Sequence, residues 1–234
     1  MTMSNNGLLK SSLSKKYVMA LTGLFLCLFL VGHLVGNLQL FISIENGGAE
    51  TFNEYAKFMT TNPAIKIMSY LTYAGIIFHM VDGFALTLQN RRARPVKYVV
   101  EKGSANSSWS SRNMALLGTI LLVFLVTHMS NFWYVMHFEM PIPVEGGLKD
   151  LHTVVMKFFS PENSYALLCT ILYVVAMISM GLHLWHGFQS AFQSMGINHP
   201  KYTPLIKKFG AAFSILVPAA FAAIPVYLYF TQLA

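Results

Sequence analysis

Apolar residues in this chain gather into long runs rather than alternating along strands or repeating on one helical face. Five runs stand out, at about 17–42, 64–90, 113–137, 164–193 and 209–232. Each is long enough to cross roughly 30 Å of hydrocarbon as a helix rising about 1.5 Å per residue. Backbone in lipid must satisfy its own hydrogen bonds, and these runs are too long and too uniformly apolar for barrel strands. The pattern predicts an all-α integral membrane protein, a five-helix bundle forming one domain over 1–234. Pro218 and Pro225 fall inside the fifth run and are expected to kink it. Two intervening segments, 50–59 and 148–159, are mildly amphipathic and are expected on the outer interface.

Composition sharpens this picture. Of 234 residues, 55% are hydrophobic and 11% charged, against roughly 25% charged in a soluble domain. The net charge of +7 raises the question of nucleic acid, and the placement of the charges answers it. Lys10, Lys15 and Lys16 precede the first run. Arg91, Arg92, Arg94, Lys97, Lys102 and Arg112 join the second run to the third, and Lys201, Lys207 and Lys208 join the fourth to the fifth. The opposite connections carry Glu45, Glu50, Glu54, Glu139, Glu145, Asp150 and Glu162. Basic residues mark cytoplasmic loops, which predicts a cytoplasmic N-terminus and an outward C-terminus. Topology thus accounts for the basic surplus, with anionic lipid or a cytoplasmic partner as further uses, and no nucleic acid is needed. A cleaved signal peptide is not expected, because the first run exceeds an h-region and no small-x-small site follows it closely. Cys27 and Cys169 belong to no C-x-x-C or C-x-x-C-H, so they are expected to pack rather than to bind zinc or covalent haem.

Ionisable groups in lipid are costly and call for a reason. Of eight histidines, His152 and His199 fall in connections and His137 closes the third run beside Glu139. Five lie within the runs: His33, His79, His128, His183 and His186, in the first, second, third and fourth. His33 stands 12 residues before Glu45 and His128 11 before Glu139, which puts both toward the outer side. His79 follows Pro63 by 16 residues and His183 follows Glu162 by 21, which puts both toward the cytoplasm. Two levels with two imidazoles each suit two haems with bis-histidine ligation, an arrangement that favours electron transfer over oxygen binding.

Small residues flank two of these histidines one turn away: Gly75 and Gly83 around His79, Ser179 and Gly187 around His183. They leave room for a flat porphyrin or serve helix packing. His186 rivals His183 but has Leu182 on one side; it is also a candidate propionate donor. Asp82, three residues after His79, is a candidate partner for a ligand or propionate, or a packing hydrogen bond. A di-metal site would want more buried acids than this one. A proton-coupled transporter would use scattered histidines and Asp82 without matching them in depth.

With these residues in view, the chain resembles the five-helix, di-haem cytochrome b membrane-anchor subunit of succinate dehydrogenase and fumarate reductase. The resemblance covers nearly the whole chain. It rests on Gly32-His33-Leu-Val-Gly36-Asn37, His79-Met-Val-Asp-Gly83, His128-Met-Ser-Asn-Phe and His183-Leu-Trp-His-Gly187-Phe-Gln-Ser190 in that order on the first four spans. The family's fourth-helix ligand precedes a glycine by four residues, as His183 does and His186 does not. The resemblance implies two haem b groups, the outer held by His33 and His128 and the inner by His79 and His183. It implies a flavoprotein and an iron–sulfur subunit docked on the cytoplasmic side of a bacterial inner membrane, and menaquinone as substrate near the outer haem. Dicarboxylate chemistry would then belong to the partners. For the quinone, Glu45, Glu50 and Glu54 lie on the expected side. The membrane subunit of another di-haem quinol-oxidising enzyme, such as nitrate reductase, is the nearest alternative, but there two helices carry the ligands.

Overall fold

A computed structural model describes residues 12–93, 105, 107–139, 143–144 and 147–231. Lys10, Arg94, Lys97, Lys102 and Glu145 of the charge pattern, and Gln232 at the end of the fifth run, lie outside the described residues.

Five helices are long and apolar enough to cross a membrane. The first span is α1, Ser12–Asn37, extended by a 3-10 turn at Leu38–Phe41. A second 3-10 turn, Ile44–Asn46, ends at Gly47 in the left-handed region (φ 78°) and leads into α2, Gly48–Thr61. The second span is α3, Pro63–Arg92. Its start is set by Asn62, whose side chain accepts from the Ala64 and Ile65 amides, and by Pro63 in the first turn, where a missing N–H costs nothing. The short α4, Trp109–Arg112, precedes α5, Met114–His128, which continues as a π-helix through Met129–Glu139 to complete the third span. Strands β1, Pro143–Val144, and β2, Leu148–Lys149, pair antiparallel. Then follow α6, Leu151–Phe159, the fourth span α7, Ala166–Ser194, and the fifth span α8, Thr203–Thr231. After α7 the chain turns at Gly196 (φ 75°), whose neighbour Ile197 donates to the Phe192 carbonyl.

The helix ends fall near those read from the apolar runs, except that α1 begins at Ser12, taking in Lys15 and Lys16, and α8 begins at Thr203, taking Lys207 and Lys208 into its first turns. Polar residues there are helical because the end of a span projects beyond the hydrocarbon. Pro218 and Pro225 do not interrupt α8. Pro218 has no N–H for the Ser214 carbonyl, and that oxygen faces Gly181 of α7, where a Cβ would come within 2.9 Å of it. The glycine thus lets α7 and α8 approach closely at the proline, and these two spans form the most extensive helix interface.

The first four spans form a ring. Side-by-side packing joins α1 to α3, α3 to α5, α5 to α7 and α7 back to α1, with α8 outside against α7 and α1. Spans α1 and α5, and likewise α3 and α7, therefore face each other diagonally. Leu28, Ile67, Val123, Ile178 and Leu216 point outward and are exposed, as lipid-facing side chains must be. Inside, Cys27, Met177, Met180, Leu184 and Phe188 form one buried cluster. A second, of Leu40, Phe52, Val155, Phe159, Ile224 and Leu228, ties the spans to α2 and α6 at one end of the bundle.

The two amphipathic segments are helices that cap this end. α2 buries Phe52, Asn53 and Ala56, and α6 buries His152, Val155 and Phe159. His152, expected in a connection, lies in the first turn of α6 and is 3% exposed. The Asn53 side chain donates to Asp150 Oδ1 (3.0 Å) and accepts from the His152 amide (2.9 Å). Asp150 also caps α6 by accepting from the Thr153 amide at 3.1 Å.

Candidate functional site

The diagonals of the ring carry the histidines. His33 on α1 and His128 on α5 meet with ring centres 5.8 Å apart and planes at 84°. His79 on α3 and His183 on α7 meet at 6.1 Å and 66°. All four residues are half-buried. The two levels can be separated by counting along three spans. His183 lies over Gly118 of α5, ten residues before His128, and Tyr173 of α7, near His128, is ten before His183. On α1, Thr22 beside His79 precedes His33 by eleven. At about 1.5 Å per residue these counts give roughly 15–17 Å between levels.

Each pair has its own polar surroundings. At the outer level, Asn37 Nδ2 donates to the His33 carbonyl (2.8 Å) and lies 3.4 Å from His33 Nδ1. Phe29, Phe124, Phe132 and Phe221 surround the His33 and His128 rings. At the inner level, Thr22 Oγ1 lies 3.3 Å from His79 Nδ1. A Cβ on Gly23 would meet His79 Cε1 at 3.2 Å, so the ring rests on bare α1 backbone. His128 Nδ1 and His183 Nδ1 are buried without a hydrogen-bond partner, at a cost of about 1–3 kcal/mol each.

The glycines around His79 face α1: a Cβ on Gly75 would touch Phe25 at 3.4 Å, and one on Gly83 would touch Met19 at 3.5 Å. Gly187 faces Met114, and Ser179 is buried with its hydroxyl donating to the Val175 carbonyl. His186 is half-buried, and among the described residues no aromatic ring stacks on it; the ring meeting His79 is that of His183. Asp82 is half-buried and near enough to His79 to interact electrostatically. Glu45, Glu50 and Glu54 are all exposed, on the turn before α2 and on α2 itself. His137 donates from Nδ1 to the Trp133 carbonyl at 2.7 Å and stacks on the Trp133 ring, whose N–H donates to Tyr73 at 2.8 Å.

Whether a haem suits these pairs is a question of distance and donor set. Two imidazoles bonded on opposite sides of one metal at about 2.0–2.1 Å place their ring centres roughly 6.2–6.6 Å apart. The inner pair comes within a few tenths of an ångström of that span and the outer within about half an ångström. Among the described residues no group of three or more His, Cys, Asp or Glu converges on a point. A site with only two protein ligands suits a metal whose remaining positions are filled by a macrocycle. The donor set fits haem better than a caged ion.

Thr22, Gly23 and Gly118 were not singled out from the sequence. A signal existed: Thr22 and His33 are eleven residues apart, three helical turns to within about 20°, so they share a face of α1. Compared with known proteins, the chain matches no family model, no curated protein and no solved structure.

Proposed function

We propose that this multi-pass membrane protein is the cytochrome b anchor of a succinate dehydrogenase or fumarate reductase in a bacterial inner membrane. The observation that carries the reading is the meeting of His33 with His128 and of His79 with His183 across the diagonals of the four-span ring. When bound, two haems would supply one-electron redox chemistry at these positions. The four histidines would hold them, and the apolar walls between the levels would keep water out. The order of the histidine strings along the chain supports the family. The cytoplasmic basic connections suit docking of an iron–sulfur subunit, which with a flavoprotein would carry the dicarboxylate chemistry. Menaquinone would react near the outer pair, where Glu45, Glu50 and Glu54 lie on the solvent side. A transporter has no need of histidines paired at matched depth. A nitrate-reductase type of subunit would draw its ligands from two helices, whereas four contribute here.

The test uses the complex purified with its partner subunits. Succinate should generate the reduced b-type absorption, or fumarate should bleach it after chemical reduction. Absorption insensitive to both dicarboxylates would overturn the assignment.

A further inference from the structure

The surroundings of His79 hold a hydrogen-bond relation that decides which nitrogen is bare. Thr22 Oγ1 carries one hydrogen. It lies 2.7 Å from the Val18 carbonyl and 3.2 Å from the Met19 carbonyl, both acceptors on its own helix. That hydrogen is committed to the backbone, as is common for threonine inside a helix. The hydroxyl's remaining capacity is to accept. His79 Nδ1, 3.3 Å from the same oxygen, is therefore the donor in that contact, and the Met19 backbone carbonyl is a second acceptor beside the ring. A neutral imidazole with its proton on Nδ1 has a bare lone pair on Nε2, the form in which histidine binds a metal. Gly23 makes room for this contact, since the ring lies 3.2 Å from where a Cβ would stand.

Resting on the haem reading above, we infer that Thr22 is the positioning residue of the inner pair, fixing the tautomer and plane of His79 by accepting its Nδ1 proton. A ligand whose distal N–H is hydrogen-bonded is a stronger donor to the metal. It stabilises the ferric over the ferrous state, so losing the bond raises the potential. Among the described residues no equivalent acceptor serves His33, His128 or His183. Asn37 presents an N–H to His33, and the Nδ1 atoms of His128 and His183 have no partner.

The experiment is a redox titration of the haem absorption in the purified complex, comparing Thr22→Val and Thr22→Ser with the wild type. Valine keeps the shape and removes the acceptor; serine keeps the acceptor. One of the two midpoint potentials should rise in Thr22→Val by about tenfold in the equilibrium, about 59 mV for one electron, while the other stays. Thr22→Ser should restore the wild-type value. Loss of one haem in Thr22→Val with retention in Thr22→Ser supports the same role. Both potentials unchanged in Thr22→Val, or equal effects of valine and serine, would overturn it while leaving the haem reading intact. A wild-type complex without haem would overturn both.

Discussion

His79 and His183 meet with their ring centres 6.1 Å apart, although they come from spans that face each other diagonally rather than packing side by side. Bringing two imidazoles into the middle of an apolar bundle is costly, because each carries a polar N–H and a lone pair into a medium that rewards neither. The same relation recurs about 15–17 Å away between His33 and His128.

The choice between the two histidines of the fourth span follows from this contact. His183→Ala should lower the haem content of the purified chain from two per polypeptide to one. His186→Ala should leave two. A haem assay on both variants checks this, and loss in His186→Ala alone would reverse the ligand assignment.

Gly23 makes room for His79 more directly than the glycines on α3 itself. A Cβ there would stand 3.2 Å from Cε1 of the ring, and a branched side chain would displace it. Gly23→Val should cost the inner haem while leaving the outer one, read as half the wild-type haem content.

Gly36 and Tyr55 form a tight contact of another kind. The Tyr55 hydroxyl donates to the Gly32 carbonyl at 3.2 Å, and its ring lies where a Cβ on Gly36 would be. Gly36→Ala should destabilise the protein by about 1–3 kcal/mol through overpacking. Tyr55→Leu should cost less in the Gly36→Ala background than in the wild type. Thermal unfolding of the two single variants and the double variant measures that coupling.

The outer cap should loosen in acid. Burial holds the His152 imidazole below its ordinary value of 6.5, opposed in part by the Asp150 carboxylate. Burial pushes Asp150 upward, but hydrogen bonds from Thr153 and Asn53 outweigh it and hold the carboxyl below its ordinary value of 3.8. Both shifts act in the same sense. The histidine contribution is present above about pH 6.5 and is lost as the pH falls, because the fold prefers the neutral ring. The carboxylate contribution is present above about pH 3.8 and is lost as the pH falls below it. Limited proteolysis within α2 should therefore be flat above about pH 7 and accelerate toward pH 4. Asn53→Ala, which removes the bonds to Asp150 and the His152 amide, should give fast cleavage at all pH values.

Orientation is open to a labelling test. Asn46→Cys should react with a membrane-impermeant thiol reagent in intact cells, and Asn198→Cys only after lysis. The reverse would invert the topology.

The spans were legible in the sequence because length and apolarity in lipid leave a helix as the only solution. Depth was legible too: counting from flanking charges puts His33 with His128 and His79 with His183, and those are the rings that meet. What stayed hidden depends on which face of a helix looks at which neighbour. Gly75 and Gly83 share a face with His79 by spacing alone, yet both look at side chains of α1. Thr22 has no sequence mark beyond its register with His33, and becomes informative only when α1 and α3 are seen packed. His152 looked like a loop residue because α6 has only nine residues, and its burial comes from α2, a segment about a hundred positions away.

The most direct measurement is the haem content of the solubilised chain, taken with its visible spectrum before and after reduction. Two b-type haems per polypeptide, with an α band that appears on reduction, is the expected result. A chain that binds no haem when expressed with ample haem supply would contradict the central claim.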